Sequence, residues 1–261
     1  MAGKAARWLP IVVGIALGLL LVRAPAALPS LGPAALVIAA ALVVLLLVAF
    51  TAWMIGRNLP AEIAIRPLPE GAVPPDVRAL VDAYRALGFA PAGPPREVGV
   101  SPPALLVPLV HDAEHCYGTV FRTSTVPAKT SFDVVSILGG DRGGLTTGPD
   151  PAGATLPAAP GELRQVFPGA RAADLFARHR EALAFLRSRG LAARAVSAAT
   201  FEADFRAAFA RQRIAFRAAP LNWALVAIWR SATRSSPHTG PLAGQKIAER
   251  QLRELATGVR S

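Results

Sequence analysis

Residues 34–55 read AALVIAAALVVLLLVAFTAWMI, a run of 22 residues without a formal charge. At 1.5 Å per residue, a helix of this length is about 33 Å long, enough to cross a hydrocarbon core of ~30 Å. Only a helix satisfies every backbone hydrogen-bonding group of a single segment in lipid. Trp53 lies near the end of the run and Arg57 follows it, as expected at a membrane interface. The stretch therefore predicts a transmembrane helix over residues 34–56.

A second apolar segment, Trp8–Val22, precedes this run. It reaches full span if Arg23 extends its charged end to the interface and the helix continues to Leu28. The connection over residues 29–33 reads PSLGP and is dense in turn formers. Together the two segments predict a transmembrane hairpin over residues 1–57, with helices at about 8–28 and 34–56.

The first segment also has the features of a secretory signal peptide. Lys4 and Arg7 form a basic start, an apolar stretch follows, and residues 24–26 (APA) resemble a cleavage site. Pro25 and Arg23 are unfavourable so close to a cut, and a spanning segment follows almost at once. An uncleaved anchor is therefore the preferred interpretation, with cleavage as its alternative.

Basic residues predict the orientation of this anchor. Lys4 and Arg7 precede the first segment, Arg57 and Arg66 follow the second, and the connection holds Arg23 alone. The positive-inside rule then places both termini in the cytoplasm, in a multi-pass inner-membrane protein of two spans. Cys116 is the single cysteine, which is compatible with a reducing compartment.

The remainder of the chain is basic. Four of the 28 basic residues and none of the 17 acidic residues precede Asn58, so the rest carries a formal net charge of +7. Besides the bilayer that holds the anchor, this charge favours anionic lipid headgroups or a partner protein, while nucleic acid is a less expected partner. A codon bias towards Arg explains the same composition without any partner, because 25 of the basic residues are Arg. The sequence does not indicate an oligomeric state.

The pattern after the anchor predicts a Pro-rich linker over 58–75 and one α+β domain over 76–261. Its expected architecture is an antiparallel sheet of three to five strands packed by four or five helices. Pro108 within the first strand predicts an edge position or a bulge, and the glycines of Gly139–Gly144 predict a hairpin turn. The expected strands are Ala104–Val110, Tyr117–Thr123 and Ser131–Leu138.

Apolar residues at helical spacing predict a helix at Asp76–Leu87 and a helical C-terminal half over about 172–256. His179 lies on the apolar stripe of its helix, so a packed core histidine is expected there. The helices expected in this half are Ala172–Arg189, Thr200–Ala218, the short apolar Leu221–Trp229 and Leu242–Ala256.

The densest group of reactive side chains suggests a metal site. It consists of His111, Asp112, Glu114, His115 and Cys116, all of residue types that bind metals. Their spacing matches no standard zinc pattern, and polar residues are ordinary in a β-turn, so the alternative is a solvated hairpin connection. No cofactor is predicted, because the nucleotide-binding and hydrolase motifs are absent from the sequence.

Aromatic and basic residues near the C-terminus suggest a contact surface. Phe and Trp beside Arg is typical of a helix that lies in a membrane interface. The alternative is that the aromatic residues fill the core, with Arg at its rim. The candidate contact residues are Arg206, Arg213, Arg217, Trp223, Trp229 and Arg230.

These observations predict a non-enzymatic interaction or scaffold domain tethered at the cytoplasmic face of the membrane. The alternative is a membrane-anchored enzyme or sensor with a metal site near His111–Cys116. An extracytoplasmic binding domain is a third class, which applies only if the predicted orientation is reversed.

Overall fold

The computed structural model describes residues 33–100, 103–125, 127–139, 143–150, 156–233 and 236–257. The chain divides into two compact units, Met1–Ile55 and Gly56–Ser261. The predicted membrane helix at about 8–28 lies outside the described residues, so the two-helix hairpin stays a prediction.

Helix α1 covers Pro33–Asn58. By length and composition, its segment Val37–Asn58 is able to cross a membrane, and it is the one such helix among the described residues. Apolar side chains such as Val37 and Ile38 are exposed along it, as in a helix that faces lipid. This element agrees with the second predicted span.

The sheet is larger than predicted, with eight strands instead of three to five. Its order is β1-β3-β4-β5-β6-β7-β8, and β2 pairs with β4 beside β3. All neighbours are antiparallel except β7 and β8, which are parallel. The strands are β1 Ile65–Pro67, β2 Ala90–Pro91, β3 Arg96–Val98, β4 Ala104–His111, β5 Cys116–Thr123, β6 Thr130–Leu138, β7 Gly143–Gly148 and β8 Glu162–Val166.

The additional strands lie where the sequence predicts linker or loop. Strands β1, β2 and β3 are only two or three residues long and lie among prolines. Strand β8 joins the sheet only through its pairing with β7, which a local pattern does not reveal. The predicted linker over 58–75 thus contains a strand, β1, as well as a short 3₁₀ turn at Glu70–Ala72.

Pro108 lies inside the sheet, contrary to the prediction of an edge or a bulge. It is paired with Thr119 of β5. On its other side β4 is bordered by β2 and β3, and Pro108 faces the gap between these two short strands. Its carbonyl accepts a hydrogen bond from Ala92 N at 2.9 Å. Because no ladder partner needs a donor in this gap, the missing N–H of proline leaves no strand hydrogen bond unmade.

Five further helices are described after α1, and the four longer ones begin or end within a few residues of their predicted positions. The predicted last helix begins as a separate 3₁₀ turn at Leu242–Gly244. The helices are α2 Pro75–Arg85, α3 Ala172–Arg187, α4 Phe201–Ala218, α5 Pro220–Thr233 and α6 Lys246–Thr257.

Both faces of the sheet are covered, because alternate strand residues point to opposite sides. On one face, Val107, Val120 and Val134 pack against α2 and α3. Further along the same face, Leu145 and Leu163 pack against α3 and α6. On the opposite face, a cluster that includes Leu106, Tyr117 and Ile137 packs against Val196 and Phe201, at the start of α4. The second face holds the candidate site.

Candidate functional site

A cavity of about 410 Å³ lies between the sheet and α4. This volume is within the range of pockets that bind small molecules. Strands β5 to β8 contribute alternate residues to it, as the two-residue period of a strand requires. These strand residues are Tyr117, Thr119 and Phe121; Ser131, Asp133, Val135 and Ile137; Gly144, Thr146 and Gly148; and Glu162, Arg164 and Val166.

Strand register brings the polar members of this set together. Thr119 of β5 is paired with Asp133 of β6. Thr146 of β7 is paired with Arg164 of β8 and, on its other side, with Val135. Directly paired residues have Cβ atoms roughly 5 Å apart. The floor of the cavity therefore holds two hydroxyl groups, a carboxyl group and a guanidinium group on adjoining strands.

Glycine in β7 makes room for this floor. A Cβ atom on Gly148 would lie 2.0 Å from Asp133 Oδ1, so the carboxyl group occupies the space above this glycine. A Cβ atom on Gly144 would lie 2.9 Å from Glu162 Oε2. Leu145 and Thr147, between them, point to the other face and are fully buried. The sequence Gly-Gly-Leu-Thr-Thr-Gly thus combines an open cavity on one face with a packed core on the other.

Asp133 is the most perturbed carboxyl group of the described residues. Its pKa is raised to about 7, mainly by burial and secondly by the nearby charge of Asp150, while the charge of Arg164 opposes both effects. Its side chain keeps some accessible surface because it opens into the cavity, although it lies deep in the domain. At neutral pH this group exchanges readily between a neutral acid and a carboxylate, and within the described part of the chain no group donates a hydrogen bond to it.

Thr119 is the second polar group without a partner in the cavity. Its side chain is 4% exposed, and no described residue forms a hydrogen bond with its Oγ1 atom. A buried hydroxyl group without a partner typically costs 1–3 kcal/mol. Thr119 and Asp133 are thus two adjacent polar groups without a hydrogen-bond partner among the described residues, and a ligand or solvent in the cavity is able to complete their hydrogen bonding.

Arg164 supplies a permanent positive charge beside these groups. Burial lowers its pKa from the usual value, and Glu162 opposes this effect. A guanidinium group remains protonated in proteins, so Arg164 stays a donor. Its Nη1 atom donates to Leu156 O at 3.3 Å, which fixes one end of the side chain.

Aromatic rings form the wall opposite the charged floor. Phe205 stacks between Phe201 and Phe209, with centroid distances of 5.8 and 5.0 Å. Phe121 of β5 stacks on Phe205 at 6.3 Å. The α4 residues Phe201, Phe205, Ala208, Phe209 and Gln212 share one face of the helix and line the cavity.

Polar contacts at both ends hold α4 above the sheet. At its start, Tyr117 Oη donates to Asp204 Oδ2 at 2.6 Å, and Arg194 pairs with the other oxygen of the same carboxylate. Burial, and then the hydrogen bond to Asp204, raise the pKa of Tyr117. Further along, Arg211 Nη2 and Nε donate to Glu162 Oε1 at 2.8 and 3.0 Å. These contacts fix the helix at a distance that leaves space between it and the strands.

The predicted metal-binding residues lie elsewhere, on the connection between β4 and β5. Asp112–Glu114 form a 3₁₀ turn, and His115 adopts a left-handed conformation with φ 51°. His111 packs between the rings of Phe89 and Phe176, both at 5.1 Å.

The other side chains of this connection already have different roles. Glu114 pairs with Arg180 at 2.8 Å. Cys116 is fully buried, and burial raises the pKa of its thiol to about 12. Among the described residues, no group of three or more His, Cys, Asp or Glu side chains is arranged to hold a metal ion. The structure therefore does not bring the five predicted ligands together as a set.

The predicted contact residues separate into internal and surface groups. Arg206 donates to Ile63 O at 2.7 Å and pairs with Glu202, and Arg213 donates to Ala61 O at 2.5 Å. Trp223 is 4% exposed, so it belongs to the core.

The remaining three predicted contact residues differ in exposure. Arg230 is partly buried and donates to Leu156 O at 3.1 Å. Arg217 is exposed, and Trp229 is 68% exposed. Arg206, whose side chain is 42% exposed despite its hydrogen bonds, is the third predicted contact residue at the surface.

Sequence reasoning missed the cavity residues, although the sequence contains a signal for them. In β6 the residues Ser131 and Asp133 alternate with the apolar Phe132 and Val134. That alternation is also what a sheet with one solvated face shows. The cavity is recognisable only once α4 is seen to cover this face.

Comparison with known proteins gives no match: no family model, no curated protein and no solved structure resembles this chain significantly. The functional argument accordingly depends on the geometry of the cavity.

Proposed function

We propose that the unit after α1 is a membrane-tethered binding domain that takes a small amphipathic molecule into the cavity between the sheet and α4. The observation that carries this proposal is the pair Thr119 and Asp133, two adjacent polar groups in the cavity for which no described residue supplies a hydrogen bond. In folded proteins such groups are rare unless a ligand or solvent completes them.

The chemistry of the lining defines the class of ligand. The aromatic wall favours an apolar, preferably planar, body. The carboxylate of Asp133 is the acceptor on the floor, so the floor suits a head group that donates a hydrogen bond to it, while Arg164 is a donor and suits an acceptor elsewhere on the ligand. A protonated amine fits best, because its charge compensates the buried carboxylate and lowers the pKa of Asp133.

Binding, rather than catalysis, is the function that this arrangement favours. A carboxyl group with a pKa near 7 is suitable for proton transfer. However, within the described residues no hydroxyl, thiol or imidazole group forms a hydrogen bond with Asp133 that would make it part of a nucleophilic pair. The buried Cys116 and His111 lie on the connection between β4 and β5, outside the cavity lining.

The inner-membrane location and the interaction or scaffold role predicted from the sequence remain part of the proposal. The candidate span in α1, together with the basic residues on either side of the anchor, supports an inner-membrane protein with two spans and both termini in the cytoplasm. The interaction or scaffold role is compatible with a binding domain.

The test uses the full chain in lipid nanodiscs with three probes that share an indole ring: tryptamine, tryptophol and indoleacetate. We expect tryptamine to bind most tightly at pH 8 and indoleacetate most weakly, as measured by isothermal titration calorimetry. Replacing Asp133 by Asn should weaken tryptamine binding by about tenfold or more, the equivalent of one charge-assisted hydrogen bond.

Asp82→Asn is the matched control, because Asp82 lies on the exposed surface of α2 and its side chain is 61% exposed. Titrations of empty nanodiscs correct for partition of the probes into lipid. Equal tryptamine affinities for the wild type, the Asp133 variant and the Asp82 variant would contradict the proposal.

A further inference from the structure

Helix α5 presents an apolar stripe to its surroundings. Among the described residues after α1, the large apolar side chains that are highly exposed are four, and all lie on α4 or α5. Leu221, Leu225 and Trp229 follow one another at i, i+4 and i+8, so they share one side of α5. Their exposed fractions are 54, 51 and 68%, and Ile214 at the end of α4 is 69% exposed.

This stripe lies beside the point where the chain enters the folded unit. Gly56 contacts the ring of Phe216, since a Cβ atom on this glycine would be 3.3 Å from Phe216 Cε1. Arg213 Nη1 donates a hydrogen bond to Ala61 O at 2.5 Å. Residues 56–61, at and just after the end of the candidate span, therefore contact the C-terminal half of α4.

Helix α5 begins at the same place. A single residue, Ala219, separates α4 from α5. Trp223 packs on Phe216 with a centroid distance of 5.9 Å and an edge-to-face geometry. The first turn of α5 is thus attached to the ring that contacts Gly56. Because the candidate span ends at Asn58, a bilayer that holds this span has its surface within a few residues of this point.

The charge around the stripe has one sign. Between Phe205 and Ala248 the sequence contains seven basic residues and no acidic residue. Arg217, between Ile214 and Leu221, is exposed. Several of the other basic residues make contacts within the domain, so Arg217 is the exposed basic residue that the stripe argument uses. An apolar stripe beside an exposed basic residue fits a helix that lies in the interface of an anionic bilayer.

We infer that α5 lies in the interface of the bilayer that holds the anchor, with Ile214, Leu221, Leu225 and Trp229 inserted among the lipids and Arg217 at the headgroups. Three of the residues predicted from the sequence have other roles: Arg206 and Arg213 bind the entering chain, and Trp223 anchors α5 to α4. This contact does not depend on the cavity or on its ligand.

The experiment measures where the stripe lies in the full chain. Cys116→Ala removes the single cysteine, and Leu225→Cys then carries a nitroxide spin label in nanodiscs that contain one copy of the protein. Collisions of the label with oxygen, which concentrates in lipid, are compared with collisions with a water-soluble nickel chelate. Ala184→Cys, at an exposed position on α3, is the matched control.

A label at position 225 should collide mainly with oxygen and be shielded from the nickel chelate, whereas a label at position 184 should show the opposite. Leu221→Cys should repeat the result at a second position of the stripe. Nanodiscs that contain anionic phosphatidylglycerol should strengthen the shielding relative to neutral phosphatidylcholine, and Arg217→Gln should reduce this difference.

Two outcomes would overturn the inference. Labels at positions 221 and 225 that are as open to the nickel chelate as the label at 184 would show that the stripe faces water. Shielding from both reagents that appears only in nanodiscs with two copies would show that a second copy of this chain covers the stripe.

Discussion

The two faces of the sheet differ in how their central polar groups are hydrogen-bonded, although each face also holds a buried polar atom without a partner among the described residues, Tyr84 Oη on α2 and Thr119 Oγ1 beside the cavity. On the face covered by α3, His179 is the centre of a closed hydrogen-bond network. On the face covered by α4, Thr119 and Asp133 lack partners among the described residues. A complete network is typical of a structural core, while an incomplete one that opens into a cavity is typical of a binding site.

The network around His179 has one consistent arrangement of protons. Ser136 Oγ donates to His115 O at 3.1 Å, so it accepts from His179 Nε2 at 2.9 Å. Thr147 Oγ1 accepts from Gln165 Nε2 and donates to His179 Nδ1, each at 2.8 Å. The imidazole is therefore neutral, with its proton on Nε2. Burial lowers its pKa to about 3, in agreement with this assignment.

Of the substitutions that compare the two faces, His179→Ala is expected to change the free energy of unfolding most. The substitution leaves a cavity and removes the partner of two buried hydroxyl groups, so the free energy of unfolding should fall by about 4 kcal/mol at pH 7. A denaturant titration of the full chain in detergent micelles, followed by circular dichroism, measures it. His115→Ala, at an exposed position of the β4–β5 connection, is the control and should cost less than about 1 kcal/mol.

The pH dependence of that loss tests the protonation state. A histidine whose pKa is lowered on folding stabilises the native state above its unfolded pKa of 6.5, and this contribution is lost as the pH falls towards about 3. At pH 4 the wild type has already lost about 3 kcal/mol in this way, so His179→Ala should cost only about 1 kcal/mol there. An equal cost at pH 7 and pH 4 would show that folding does not lower the pKa of His179.

In the absence of ligand, Asp133→Asn is expected to increase the free energy of unfolding, by less than His179→Ala decreases it. The raised pKa of Asp133 means that the native state retains a proton that the unfolded state loses between pH 3.8 and about 7. The carboxyl group therefore destabilises the protein increasingly as the pH rises through this range. The variant should be more stable than the wild type by about 2–3 kcal/mol at pH 8, once the effect is discounted for solvent in the cavity.

This gain should disappear at pH 4, where the carboxyl group is largely protonated in the native state and partly protonated in the unfolded state. Asp82→Asn should leave the stability unchanged at both pH values, because that side chain is exposed. A stability gain for Asp133→Asn that is the same at pH 4 and pH 8 would exclude the raised pKa as its cause.

The comparison also explains which parts of the molecule are predictable from sequence. The alternation in Ser131–Leu138 and the helical spacing in Ala172–Arg189 are local patterns, and both elements are present close to the predicted bounds. The burial of His179 follows from its place on an apolar stripe, as predicted. The helix over 34–56, a candidate membrane span, follows from composition alone.

The cavity depends on pairings that no local pattern contains. Strand β8 brings Arg164 to the floor through a parallel pairing with β7, across a loop that includes residues outside the described range. The glycines at 139–144 predict a turn, yet Gly143 and Gly144 already belong to strand β7. Conversely, His111–Cys116 are close in sequence, but His111 packs on Phe89 and Phe176, Glu114 pairs with Arg180, and no group of three or more metal-binding side chains is found among the described residues.

The smallest effect is also the most direct comparison of the two faces, because the same substitution is made on each. Thr→Val preserves the shape of the side chain and removes the hydroxyl group. At Thr147 it leaves His179 Nδ1 and Gln165 Nε2 without their partner and should cost about 2 kcal/mol. At Thr119 it removes a hydroxyl group that has no partner among the described residues, so the free energy of unfolding should stay the same or rise by up to about 1 kcal/mol.

Thr119→Val should nevertheless weaken tryptamine binding, whereas Thr147→Val, measured under conditions where it is folded, should not. Equal stability losses for the two variants would mean that Thr119 is satisfied within the protein and that the two faces do not differ in the way proposed.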